Sequence, residues 1–177
     1  KHFPSSKENF LTMLANYEAL DIWDKEIYHQ INQEGLLLKP VLSKDDAIKM
    51  MDIRYKVFII GQNIKYEDEV VPDEEKEATS FLIYLKDDAI GTVRYRFVNE
   101  EIKIERFAVL PEYQHKGYGS SAFSFLLDLI ETKYNPCTIT INAQYQLKNY
   151  YLKFGFICVG DEFYEANIKH IKMIKKV

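Results

Sequence analysis

Two glycines and a lysine stand where an apolar, β-branched run gives way to a helical pattern. Gln114, Lys116, Gly117 and Gly119 lie between that run and the first apolar residues with helical spacing. A helix N-terminus leaves main-chain N–H groups without intrahelical acceptors, and the helix dipole adds partial positive charge there. Residues 114–120 therefore predict a main-chain cradle for a phosphate or pyrophosphate. The alternative is that the glycines serve only a tight turn and close helix packing.

The segment GYGSSA, residues 117–122, also fits the dinucleotide-binding pattern G-x-G-x-x-A, but its surroundings do not. In that fold the first glycine directly follows a strand, and an acidic residue ends the next strand. Here residues 110–116 separate Val109 from Gly117, and the next strand, CTITINAQ, contains no acid. We therefore reject a dinucleotide site.

The composition is that of an ordinary globular domain. The 177 residues are 47% hydrophobic and 28% charged, which suits one domain with or without an extension. A net charge of -4 argues against nucleic acid as the main partner, because such binding begins with a basic face. No apolar run approaches the roughly 18 residues of a membrane helix, so no membrane partner is expected.

Cysteine and histidine usage gives no sign of a metal or redox site. Cys137 and Cys158 match no ligand or redox spacing and indicate reduced core residues in a cytoplasmic protein. His2, His29 and His115 show no ligand spacing with one another, so we predict no metal.

The predicted elements form a helical extension followed by one α/β domain. Apolar residues at helical spacing predict helices within residues 1–35. We expect this extension to cap the domain, and the alternatives are that it completes the substrate pocket or forms a dimer contact. In residues 36–177 we predict a strand at 36–42, a helix at 44–59 capped by Ser43, a loop at 61–78, strands at 79–86, 89–98 and 101–109, a helix at 117–134, a strand at 137–143, a helix at 144–154, and strands at 156–160 and 170–176. Short turns make the three central strands antiparallel neighbours, and a strand–helix–strand crossover follows them. This order predicts a mixed sheet with helices on both faces.

Two motifs resemble a known family. The segment VLPEYQHKGYGS, residues 109–120, resembles the acyl-CoA signature of the GNAT superfamily of N-acetyltransferases, Gln/Arg-x-x-Gly-x-Gly/Ala. The segment NYYLKFGF, residues 149–156, resembles the superfamily's late helix, which ends in an aromatic–Tyr pair and then Gly-Phe. The motifs stand at the expected separation, and the resemblance extends from about residue 36 to the C-terminus. It implies a mostly antiparallel sheet with one splayed parallel strand pair, and acetyl-CoA as co-substrate.

The resemblance also implies roles for particular residues. The 114–120 loop would hold the CoA pyrophosphate, and the pantetheine arm would pair with the strand that ends at Val109. The cofactor-binding residues predicted in this way are Phe107, Ala108, Val109, Gln114, His115, Lys116, Gly117, Tyr118, Gly119, Ser120 and Asn149. Tyr151 matches the tyrosine that protonates the leaving thiolate, while Tyr150 is expected in the core.

Transfer to an amine also requires a base, because a lysine-like amine with a pKa of about 10.4 is almost fully protonated at pH 7. Glu105 is the candidate, since in a regular strand it shares the face of Phe107 and Val109. The alternative is a salt bridge from Glu105 to Lys103 or Arg106.

Three further features concern the acceptor. Seven of the eleven residues from 67 to 77 are acidic, and this loop either attracts a cationic amine or is simply solvated. Arg54 either binds an anionic substrate group or forms a structural ion pair. His170 either faces the substrate slot or is a buried, hydrogen-bonded histidine. Small amines, amino sugars, antibiotics, polyamines and protein amines all stay open as acceptors, and a homodimer is one option for the assembly.

Two functional hypotheses follow. The first is an N-acetyltransferase that moves acetyl from acetyl-CoA directly to a primary amine in a ternary complex. The second is a non-catalytic acyl-CoA-binding sensor or scaffold, which keeps the pyrophosphate loop but needs neither Tyr151 nor a base. The presence of Tyr151 favours the enzyme.

Overall fold

A computed structural model describes Leu14 and residues 29–177 of the chain. The strands are β1 (His29–Gln30), β2 (Leu36–Pro40), β3 (Thr79–Leu85), β4 (Asp88–Val98), β5 (Glu101–Val109), β6 (Thr138–Gln144), β7 (Ile157–Glu165) and β8 (Ile168–Lys176). The helices are α1 (Lys44–Arg54), α2 (Tyr66–Glu69), α3 (Pro72–Glu77), α4 (Tyr118–Tyr134) and α5 (Lys148–Leu152), with a π-helical turn at Tyr55–Ile60 and 3₁₀ turns at Pro111–Tyr113 and Tyr145–Leu147.

The strands form one mixed sheet in the order β1-β2-β3-β4-β5-β6-β8-β7. Strands β1 to β5 pair antiparallel in chain order, β5 and β6 are parallel, and β8 pairs antiparallel with both β6 and β7. The predicted meander and the single parallel pair are confirmed. The helical pattern predicted within residues 1–35 lies mostly outside the described residues, and His29–Gln30 inside it form a strand.

The start of α1 agrees with the prediction, whereas the bounds of several other elements differ from it. The side chain of Ser43 accepts a hydrogen bond from the Asp46 amide at 3.1 Å, so α1 starts as its capping sequence predicts. Its α-helical part ends at Arg54 and continues as the π-helical turn. The polar loop predicted at 61–78 contains the short helices α2 and α3. Strand β7 runs to Glu165, five residues beyond the prediction, because it is an exposed edge without an alternating apolar pattern. Cys158 lies on this edge and is exposed, so the predicted core position is wrong for this cysteine.

Each face of the sheet carries its own buried apolar cluster. On one face Ile104 and Ile139 pack with Phe123 of α4 and Tyr151 of α5, and we call this the α4 face. On the other face Met50 of α1 packs with Leu82, Ala108 and other residues, and we call this the α1 face. The two faces receive alternate side chains of each regular strand.

Strand β5 changes face at a β-bulge. Thr92 pairs with Ala108 and Arg94 pairs with Glu105, so β5 has one more residue than β4 between these pairs. Arg106, inside the extra stretch, has a left-handed φ of 54°. Consequently Ile104 packs on the α4 face whereas Ala108 packs on the α1 face, although a regular strand would place both on one face.

The bulge also separates β5 from its parallel neighbour. The two strands pair only from Ile102 to Ile104 on β5 and from Ile139 to Ile141 on β6. Beyond these residues β6 stays paired with β8 as far as Gln144, while the bulged strand bends away. The predicted splayed strand pair is therefore confirmed, and a slot opens between the strands.

Candidate active site

A cavity of about 770 Å³ opens at this slot. Its walls come from the second half of β5, the turn before α4, the end of β6, α5, the start of β8 and residues 57–74. The predicted site residues that line it are Glu105, Phe107, Ala108, Val109, Gln114, His115, Gly117, Tyr118, Gly119, Ser120, Tyr151 and His170. Lys116 and Asn149 are exposed and do not line it.

The turn before α4 presents main-chain donors to this cavity. Gly117 has a φ of 84°, a conformation that favours glycine, and no side chain caps the helix. The first intrahelical bond runs from the Ser121 amide to the Gly117 oxygen at 3.0 Å. The amides of Tyr118, Gly119 and Ser120 therefore have no intrahelical acceptor, at the positive end of a 17-residue helix.

Gly119 allows the helix to lie directly on β5. A Cβ at this position would stand 3.2 Å from Val109 Cγ2 and 3.4 Å from Phe107 Cζ. Turn geometry thus explains Gly117, and close packing explains Gly119. Both glycines also border the cavity. Their structural roles are therefore compatible with a role in exposing the main-chain N–H groups at the start of α4 to a ligand.

Gln114 reaches back to the strand rather than into solvent. Its Nε2 donates to the main-chain oxygen of Val109 at 2.8 Å. This bond fixes the turn against the end of β5. It also engages one of the main-chain groups that the family resemblance assigned to the pantetheine arm.

Tyr151 is buried beside the slot. Its side chain packs edge-on against Phe123, with 5.5 Å between ring centroids, and lines the cavity. Burial, and then the neighbouring Tyr150, raise the pKa of the Tyr151 phenol well above its ordinary value. The proton therefore stays on the oxygen at neutral pH, so Tyr151 rests in the form that can donate.

Tyr150 also belongs to the cavity wall, which the sequence prediction missed. Its hydroxyl lies 3.0 Å from Ser120 Oγ, and so joins α5 to the first turn of α4. Burial raises the pKa of this phenol as well. The adjacent position in the NYYLKFGF motif was the only sequence signal for it.

Glu105 does not share the face of Phe107 and Val109, so that part of the prediction is wrong. A regular strand would place Glu105 on that face, but the bulge at Arg106 reverses the alternation. Glu105 instead meets cations, with Oε2 3.5 Å from Arg94 Nη2 and Oε1 in contact with Arg96 Nε. Burial alone would raise the pKa of Glu105, but Arg94, Arg96 and Lys103 together hold it below its ordinary value.

Arg54 forms the structural ion pair that was one of its two predicted roles. Its side chain is fully buried, with Nε 2.6 Å from Glu69 Oε1 and Nη2 2.7 Å from Glu75 Oε1. The same Glu75 oxygen lies 2.7 Å from Arg94 Nη1. Arg54 does not line the cavity, so it has no access to a substrate anion.

This network divides the acidic residues of the loop at 67–77 into two groups. Glu69 and Glu75 are buried and neutralised by arginines, whereas Glu67 and Asp68 are exposed at the cavity wall. The loop is therefore partly a structural element, and only some of its carboxylates can attract a cation.

Neutral amides line the cavity on the α1 face. Gln144 Nε2 donates to Gln62 Oε1 at 2.7 Å, and Gln146 Nε2 donates to Gln144 Oε1 at the same distance. His170 pairs directly with Gln144 across β8 and β6, and is buried. No sequence pattern indicated these glutamines, because they come together only in the folded chain.

The described part of the chain contains neither a metal-binding cluster nor a membrane-spanning helix. In Leu14 and residues 29–177, no group of three or more His, Cys, Asp or Glu side chains is arranged to hold a metal ion. Within the same residues no helix has the length and apolar character needed to cross a membrane.

Comparisons with known proteins identify the family. Residues 54–177 match the family model described as an acetyltransferase (GNAT) domain. The uncharacterized N-acetyltransferase YjcF of Bacillus subtilis is 29% identical over 143 residues, which are 78% of this chain and 99% of YjcF. The crystal structure of Escherichia coli ElaA superposes with a TM-score of 0.69 at 22% identity, over 80% of this chain and 99% of that one. A GNAT acetyltransferase from Elizabethkingia anophelis with acetyl-CoA bound gives a TM-score of 0.61 at 14% identity, over 82% of this chain and all of that one. The chain belongs to the GNAT acetyltransferase family and is an acyl-CoA-dependent acyltransferase.

Proposed function

We propose that the protein transfers the acetyl group of acetyl-CoA directly to a primary amine of the acceptor, within a ternary complex. The observation that carries this proposal is the slot where β5 and β6 part, which lies beside the uncapped N-terminus of α4. One extended acetyl-CoA molecule can place its pyrophosphate at the N-terminal amides of α4 and its thioester in the slot. The acetyl-CoA-bound structure of the Elizabethkingia anophelis relative supports the choice of donor.

The donor's phosphates meet fixed main-chain dipoles. The N–H groups of Tyr118, Gly119 and Ser120 and the dipole of α4 favour a pyrophosphate at this end of the cavity. Lys116 is exposed on the same turn and adds a mobile positive charge. From there the pantetheine arm follows β5 past Val109 and Phe107 toward the slot.

The reaction joins the amine nitrogen to the thioester carbonyl carbon. The neutral amine attacks, the C–N bond forms, and the carbonyl oxygen becomes an oxyanion that main-chain N–H groups of the unpaired part of β5 stabilise. The C–S bond then breaks, and the thiolate takes the Tyr151 proton. The amine nitrogen loses a proton to a base, so the products are an N-acetyl amide and CoA thiol.

The acceptor enters from the α1 face. Glu67, Asp68, Gln62 and Gln144 line this part of the cavity, so it offers exposed carboxylates and amide groups. Arg54, the cation proposed for an anionic acceptor, is buried in the core. Lys103 and Arg106 do line the cavity, but each pairs with a carboxylate, Lys103 with Glu105 and Arg106 with Glu69. This balance favours a cationic amine over an anionic substrate, because carboxylates attract the protonated amine before it is deprotonated.

Three cations, Arg94, Arg96 and Lys103, engage Glu105, the base predicted from the sequence. A carboxylate whose pKa is held below its ordinary value binds a proton weakly. Glu105→Gln tests its predicted role: loss of turnover with an unchanged unfolding free energy supports a base, whereas loss of stability alone supports an ion-pair role.

The experiment for the proposed function is CoA-thiol release from acetyl-CoA across amines, amino sugars, polyamines and peptides, with acetyl-CoA binding measured in the same samples. Release that depends on one acceptor class supports the transferase. Bound acetyl-CoA without release in any sample favours the acyl-CoA sensor instead.

A further inference from the structure

The start of β8 places a histidine at the cavity in a defined orientation. His170 is 8% exposed, lines the cavity, and stacks on Phe163 with 5.8 Å between ring centroids and 20° between ring planes. Phe163 and Gln144 are its direct partners on the two neighbouring strands. The ring is therefore held between β6 and β7.

One ring nitrogen of His170 is committed to the main chain. Nδ1 lies 2.6 Å from the carbonyl oxygen of Ile168. A carbonyl oxygen can only accept a hydrogen bond, so Nδ1 must carry the hydrogen. In the neutral ring this leaves the lone pair on Nε2, which has no hydrogen-bond partner among the residues that the structure describes.

The turn between β7 and β8 fixes this arrangement. Ala166 and Asn167 both have left-handed φ values, 50° and 61°, as in the tight two-residue turns that suit hairpins. The carbonyl of Ile168, directly after the turn, then lies two residues before the ring that it orients. The tautomer follows from backbone geometry and needs no second titratable side chain.

His170 lies on the acceptor side of the sheet. Ile171 and Met173 pack in the cluster on the α4 face, together with their β6 partners Ala143 and Ile141. His170 and Gln144 alternate with these residues and so face α1. Tyr151, in contrast, packs in the α4 cluster. The two groups thus flank the slot from opposite faces of the sheet.

We propose that Nε2 of His170 is the base that accepts the proton from the acceptor amine. This inference rests on the proposed function. As the amine nitrogen bonds to the carbonyl carbon, one N–H proton passes to Nε2 and forms the imidazolium, while Tyr151 gives its proton to the sulfur as the C–S bond breaks. Exchange with solvent returns the histidine to its neutral form and the tyrosine to its phenol. Glu105 then serves the ion-pair network instead of proton transfer.

The test compares His170→Gln with Lys172→Gln. Lys172 is two residues further on the same face of β8 and does not line the cavity. With each amine that supports thiol release by the wild-type protein, His170→Gln should lower kcat on the order of 10²–10⁴-fold, the usual contribution of general acid–base catalysis. Acetyl-CoA Kd should stay within about twofold. Lys172→Gln should retain the wild-type kcat.

A second measurement needs no turnover. Nuclear magnetic resonance of histidine labelled with ¹⁵N distinguishes the two neutral tautomers, and His170→Gln identifies the signal. The proposal predicts hydrogen on Nδ1 and a bare Nε2. Hydrogen on Nε2 in the neutral ring would overturn it, as would a His170→Gln kcat within threefold of wild type. Absence of amine-dependent release by the wild type would instead refute the proposed function.

Discussion

Arg106 fastens the acidic segment to the strand that forms one wall of the slot. Its Nη2 lies 3.1 Å from the main-chain oxygen of Glu69, and its Nε lies 3.2 Å from Glu69 Oε2. The bulge that reverses the faces of β5 therefore also contributes one of the contacts that hold residues 66–77, beside the ion pairs of Arg54 and Arg94 with Glu69 and Glu75. This contact fixes the position of α2, which lines the α1 side of the cavity, relative to β5.

Loss of this anchor should loosen the acidic segment without unfolding the domain. Arg106→Gln removes the donors to the carbonyl groups of Asp68 and Glu69, so trypsin should cleave after Lys65 or Lys76 faster than in wild type. The control is Lys169→Gln, which breaks a solvent-exposed pair with Glu162. An equal cleavage rate in Arg106→Gln and wild type would show that the anchor is dispensable.

The buried pair of Arg54 should be required for stability. Arg54→Met leaves Glu69 and Glu75 buried with fewer counter-charges, and removal of one partner of a buried pair costs about 3–5 kcal/mol. Lys56→Met is the matched control, because its pair with Asp52 is exposed and should leave the denaturation midpoint unchanged. Urea unfolding measures both. A shift in Arg54→Met no larger than that in Lys56→Met would contradict this account.

The same network predicts acid sensitivity. Burial alone would raise the pKa of Glu75, but Arg54, Arg94 and Arg106 outweigh it and hold the pKa below its ordinary value of 4.5. The unfolded chain thus binds this proton more readily than the native chain, so stability rises with pH. The contribution is complete above about pH 5 and is lost as pH falls through the native pKa.

Urea unfolding at several pH values tests this sign. Wild type should lose stability as the pH falls below about 5, while Glu75→Gln should show a shallower dependence because it lacks the titrating group. A parallel dependence in the two proteins would assign the acid sensitivity to other carboxylates.

Two glycines with left-handed φ values allow the effect of backbone strain to be distinguished from an effect on acetyl-CoA binding. Gly117 and Gly160 have φ values of 84° and 76°, and a Cβ would meet no atom within 4 Å at either position. Replacement by alanine should therefore cost about 1–2 kcal/mol in both cases. Only Gly117 borders the cavity, so only Gly117→Ala should weaken acetyl-CoA binding.

Calorimetric titration of acetyl-CoA into the two variants provides the measurement. Equal affinities in Gly117→Ala and Gly160→Ala would remove the turn before α4 from the proposed binding site. A bulky residue at Gly119, where a Cβ would crowd Val109, should weaken binding further.

Tyr151→Phe should lower kcat and leave acetyl-CoA affinity almost unchanged. The phenol contributes its proton only as the C–S bond breaks, so its loss acts on the transition state more than on the ground state. Tyr134→Phe is the control, since its hydroxyl pairs with Tyr95 at 3.1 Å outside the cavity. Steady-state kinetics with any accepted amine measure both, and an unaltered kcat in Tyr151→Phe would exclude the acid role.

The sequence predicted those parts of the fold that depend on local pattern. The meander of β3 to β5 and the long helix α4 carry regular spacing and clear turns, so their positions agree with the structure. The family resemblance located the turn before α4 and Tyr151. These features depend on residues that are neighbours in the chain.

Features that depend on distant partners were not predictable. Arg54 meets carboxylates 15 and 21 positions away, and no local pattern distinguishes a buried arginine from an exposed one. The bulge at Arg106 adds one residue to an otherwise regular strand. Because of this one residue, the face of the sheet predicted for Glu105 was wrong. The Gln62–Gln144 contact joins segments 82 positions apart.

The most direct test of the account is the stoichiometry of one reaction. Acetyl-CoA, the protein and an accepted amine are mixed, and CoA thiol, acetylated amine and acetylated protein are quantified together by mass spectrometry. Direct transfer predicts thiol and amide in equal amounts, only when the amine is present, with no acetyl group retained on the protein. Thiol released without amide, or an acetylated protein that forms before the amine is added, would contradict it.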